Sequence, residues 1–128
     1  LKQVAEQSIS MIGEQNGFIS HYLVKANVLS GDLARANVMM EKMLEKRDRG
    51  THWSATTIGL GLAAVGRYDD AVSWLVQANR ERDFWLRWHL RSAVEDYPEL
   101  ATHDAVIALL ADMGLDDDSI KARIEAGR

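Results

Sequence analysis

The stretch HWSATTIGLGLAAVGRYDDAVSWLVQANRER, residues 52–82, decides the fold. It holds two apolar-periodic segments separated by Gly66-Arg67. Residues 52–65 form the first. Residues 68–82 form the second, with Ala71, Val72, Leu75, Val76 and Ala78 on the i, i+3/i+4 stripe of an amphipathic helix. Gly66 stands where the first helix must stop, because glycine takes the left-handed C′ conformation at little cost. Asp69-Asp70 opens the second helix, where capping and the positive end of the dipole explain it. The pattern predicts a helix–turn–helix hairpin.

The hairpin recurs at a spacing of 35 residues. Upstream, Gly31, Leu33, Ala36, Met40 and Met43 correspond to Gly66, Tyr68, Ala71, Leu75 and Ala78, and Leu23 and Val24 to Ile58 and Gly59. This predicts helices over 18–29 and 33–47, with Asp32 as N-cap and Gly50-Thr51 as the boundary between units. Downstream the match is looser: Ala71, Leu75 and Ala78 correspond to Val106, Leu110 and Met113. There the helical pattern of residues 85–95 is interrupted by Tyr97-Pro98, since proline pushes its predecessor out of the helical region. A short helix over 104–113 ends at Gly114, and Asp116, Asp117 and Asp118 favour the start of a last helix over 119–126. One further helix is expected over 3–12. The chain divides into a flanking helix (1–15), repeat 1 (16–50), repeat 2 (51–83), a degenerate repeat 3 (84–114) and a capping helix (115–128).

Composition narrows the function. At 47% apolar and 27% charged residues over 128 positions, the chain can form one core-bearing domain or one short repeat array, and the composition argues against disorder. With no cysteine there is no disulfide scaffold, thiol nucleophile or Cys-ligated zinc. The net charge of −4 argues against direct nucleic-acid binding, and no apolar run of membrane-spanning length argues against insertion. No signal peptide is recognisable at Leu1, so a cytoplasmic piece of a longer protein is expected.

The repeating positions resemble the tetratricopeptide repeat family, which repeats about every 34 residues as helix–turn–helix. Gly59, Gly66, Tyr68, Ala71, Leu75 and Ala78 carry the resemblance in the central unit, and Gly31, Ala36, Met40 and Met43 in the first. It is closest over 51–83 and reduces to apolar character beyond Glu95. Val24 and Met43 depart from it, standing where a small residue and Ala are expected. The resemblance implies an all-α fold, a short right-handed superhelix of helical hairpins with flanking N- and C-terminal helices. Gly59, Gly61 and Ala71 would let the two helices of a unit approach closely, and Ala78 would meet the next unit. The segment from Asp83 to Trp88, with Met113-Gly114-Leu115, also resembles the closing part of arrays that follow winged-helix or nucleotide cyclase domains in bacterial regulators.

Phe18, Trp53 and Trp88 lie 35 apart, early in each first helix. His21, Thr56 and Arg91 follow one turn later, and Lys25, Leu60 and Glu95 continue the face. The resemblance implies that this face lines a concave groove, so Phe18, His21, Lys25, Trp53, Thr56, Trp88 and Arg91 are candidate contacts for a peptide or partner helix. The alternative is that the rings pack inside the array. Leu60 and Glu95 contradict the pattern by which some family members clamp a C-terminal carboxylate. Trp74, Trp85 and Trp88 form a second aromatic set, read as inter-repeat packing or as a dimer patch. The charged run 41–49 reads as a solvated convex face. The last 28 residues hold six acids against three bases, a net −3 that could steer a basic partner.

No catalytic, cofactor or metal site is expected. The four histidines show no metal-ligand spacing, the serines lack a nucleophile-elbow context, and Gly59-x-Gly61 has neither a preceding strand nor a third glycine. The expectation is a non-enzymatic protein–protein interaction scaffold of a bacterial regulator. Its rivals are a homo-oligomerisation module, with a homodimer as product, and a small-molecule sensor.

Overall fold

The computed structural model describes residues 20–50 and 53–127. The helix expected over 3–12, Phe18 and the boundary residues Thr51 and His52 lie outside the described residues. Every regular element among the described residues is helical. They run α1 (Ser20–Leu29), α2 (Leu33–Asp48), α3 (Ala55–Ala64), α4 (Tyr68–Arg80), α5 (Phe84–Asp96), a 3₁₀ segment (Pro98–Thr102), α6 (Asp104–Asp112) and α7 (Asp117–Ala126). Among the described residues no helix is long and apolar enough to cross a membrane.

Local chemistry sets these boundaries. Side-chain oxygens of Asp32, Ser54, Asp83 and Asp116 accept from the backbone N–H groups of Arg35, Thr57, Trp85 and Ser119, opening α2, α3, α5 and α7. Four helices stop by one device, a left-handed residue followed by a six-to-one bond. At Gly66 (φ +83), Gly66 N–H donates to the Ala63 carbonyl and Arg67 N–H to that of Leu62. Gly31, Gly114 and Arg82 (φ +54) repeat the geometry after α1, α6 and α4. The α4 helix was expected to reach residue 82, and the left-handed turn at Arg82 ends it at Arg80. The first helix of the central unit was expected from residue 52. It begins at Ala55, because Ser54 takes the cap.

Burial repeats at the 35-residue spacing. Ala36, Met40 and Met43 of α2 are buried, as are Ala71, Leu75 and Ala78 of α4, and Val106 and Leu110 of α6, with Met113 half-buried. Alternate helices are neighbours: α1 packs on α2 and α3, α3 on α4 and α5, and α4 on α6. The third unit departs from this scheme. The 3₁₀ segment wedges between α5 and α6 and places Leu100 in the core.

The centre is α3, in which residues 55 to 63 are all buried. A helix apolar on every side belongs inside a fold. Its glycines permit the close contacts. A Cβ at Gly59 would lie 3.0 Å from Leu75 Cδ2 and 3.3 Å from the Ala71 carbonyl oxygen of α4. A Cβ at Gly61 would overlap the Met40 sulfur of α2. Gly59 thus serves the hairpin as expected, whereas Gly61 serves the neighbouring unit instead.

The charged run in α2 is not simply a solvated face. Glu41 accepts from Arg67 at 3.0 Å, and Arg47 pairs with Glu81 and lies over the Trp74 ring. These contacts tie α2 to the second hairpin. Each exposed pair contributes at most about 1 kcal/mol.

Two ionisable groups join elements across the array. Asp83 caps α5 through Oδ1 and, through Oδ2, accepts from the Ser54 hydroxyl at 2.5 Å and the Thr56 N–H at 3.2 Å, so it holds the starts of α3 and α5 together. Burial pushes its carboxyl up. The hydrogen bonds from Ser54, Thr56 and Trp85 outweigh that and hold it below the usual carboxylate range. Its contribution is therefore present above the unfolded value of about 3.9 and is lost as pH falls through the lower folded value. Asp83→Ala should cost about 1–2 kcal/mol at neutral pH, with less loss on acidification than in the parent chain, both read from urea unfolding.

His103 joins the third unit to α4. Its Nε2 lies 2.9 Å from Asp69 Oδ1 and its Nδ1 3.1 Å from the Glu99 carbonyl oxygen, so only the imidazolium can donate to both. The Asp69 carboxylate, followed by the Glu99 carbonyl, raises its pKa. The contact is complete below the unfolded value of about 6.5 and is lost as pH rises through the raised folded value. An NMR titration should give His103 a midpoint above that of a free imidazole, and Asp69→Asn should lower it.

Candidate interaction surface

The sequence places a face of α1 and a face of α5 on either side of α3. In the structure they meet. Lys25 of α1 donates to Asp96 of α5 at 3.2 Å and lies 5.8 Å above the Tyr97 ring. The His21 and His89 rings meet edge-on at 5.9 Å. The cleft beneath them, floored by Leu60, holds about 240 Å³. That is below the range of roughly 300–1,000 Å³ typical of ligand pockets. Burial depresses the His89 pKa. It also pushes the Tyr97 hydroxyl up to about 12, with Asp96 and Tyr68 adding to the effect.

The expected contact residues separate into groups. His21, Lys25 and Trp88 are brought together around this cleft. Trp53 (5% exposed) and Thr56 (0%) are core residues, so neither can meet a partner on the surface. Trp53 precedes α3 rather than lying in it, and its carbonyl accepts from Arg47 at 2.5 Å. Arg91 is engaged within the chain: it donates to Asp117 at 2.6 Å, to the Leu115 carbonyl at 3.1 Å and to Glu95 at 3.2 Å, holding the start of α7. Hydrogen bonds to Asp117 and Glu95 raise its pKa. Phe18 lies outside the described residues. The 35-residue aromatic ladder is therefore core at Trp53 and surface at Trp88.

The α5 helix explains the difference. Its buried stripe is Leu86, Leu90 and Ala93. Trp88 sits two residues from both leucines, about 200° around the helix, and so faces away. Phe84 (65% exposed), Trp88 (67%) and Trp85 (37%) form one ring cluster on that outer side, with centroids 5.3 Å apart for Phe84–Trp85 and 6.0 Å for Phe84–Trp88. Trp88 is the ridge between two concavities. On one side lies the α1–α5 cleft. On the other, between α4, α5 and α6, lies a hollow of about 370 Å³ lined by Arg82, Phe84, Arg87, Asp112 and Met113. Phe84 is the exposed ring that the 35-residue spacing misses, because it has no aromatic counterpart 35 residues upstream. A helical wheel of α5 would have found it.

A third hollow, of about 580 Å³, lies between α2 and α4 beside Trp74 and Asp48. Trp74 is half-buried there beneath Arg47, so it belongs to inter-helix packing and not to the exposed aromatic set. Among the described residues no three His, Asp or Glu side chains gather as a metal site would need.

The two tryptophans can be told apart by stability. Trp53→Ala should cost about 3–5 kcal/mol in urea unfolding, as expected for emptying a core site. Trp88→Ala should stay within about 0.5 kcal/mol of the parent chain.

Compared with known proteins, the chain matches no family model, no curated protein and no solved structure.

Proposed function

We propose that the chain is a tetratricopeptide-like array of helical hairpins acting as a non-enzymatic protein–protein interaction module, within a larger bacterial regulatory protein of the cytoplasm. The superhelical reading is supported by the packing of alternate helices and by burial that repeats every 35 residues. The interaction reading is carried by one observation. Phe84 and Trp88 stand side by side on α5, about two-thirds exposed, on a helix whose opposite stripe is fully in the core. Exposed aromatic clusters flanked by polar residues mark contact surfaces, and tryptophan is a frequent energetic anchor. The partner docks on the outer ridge of α5, because Lys25 and Asp96 bridge the inner cleft.

A photo-crosslinking amino acid at position 88, with a control at the exposed Val38 of α2, tests this reading in cells. Adducts to a distinct protein from position 88 and none from 38 are expected. Adducts to a second copy of the chain would move the reading to homo-oligomerisation. No adduct from position 88 would remove the interaction reading.

A further inference from the structure

We draw no further inference here: the strongest candidate, the hollow between α4, α5 and α6 beside the exposed Phe84 and Trp88, carries nothing, because its Arg82 and Arg87 stand against Asp83 and Asp112 and nothing in the structure shows what covers it.

Discussion

The arrangement depends on the burial of α3. A helix with no solvent face must be covered by α1, α2, α4 and α5 together, and it can be approached that closely only where Cβ atoms are missing. Gly59 admits Leu75 and Gly61 admits Met40. The cost is the weaker helix propensity of two glycines, roughly 1 kcal/mol each relative to alanine. Burial of Met40, Ile58, Leu62 and Leu75 offsets it, at about 1.5–3 kcal/mol for each large side chain.

The exposed aromatic face of α5 is a by-product of the same constraint. The α5 helix docks on α3 through one narrow stripe, and Asp83 fixes its start against the start of α3. Once that stripe is committed, the helical period leaves Phe84 and Trp88 on the far side. Lys25 and Asp96 then close the inner cleft, which moves the accessible aromatic surface from the inside of the array to its flank. Arg91, placed on the inner face by the repeat spacing, instead reaches across to Asp117 and secures α7.

Much of the fold could be read from the chain. The glycines at 31, 66 and 114 marked helix ends because backbone conformation there is a local property. The stripe Ala71, Leu75, Ala78 marked burial because amphipathic periodicity is local too. Arg82 escaped that reading, since nothing in its side chain announces a left-handed turn. The Glu41–Arg67 and Arg47–Glu81 pairs could not be foreseen, because they depend on how two hairpins lie against each other. The aromatic ladder was half legible. Equal spacing gave Trp53 and Trp88 equivalent places, but equivalence in a repeat does not carry over to the last unit. There the 3₁₀ segment replaces the regular hairpin contact, and among the described residues no further helix pair covers α5.

An array whose middle helix is wholly enclosed has consequences for its descent. Duplicating a hairpin at the centre would require a second set of glycines facing a second set of bulky partners, all acquired together. Addition or loss at the extremities makes no such demand, since α7 has no buried residue and touches the rest chiefly through Arg91 and its neighbours. Lineages that vary the length of this molecule at this end should therefore do so beyond α6, whose Val106, Leu109 and Leu110 are in the core, carrying the α1–α6 block forward as an indivisible inheritance.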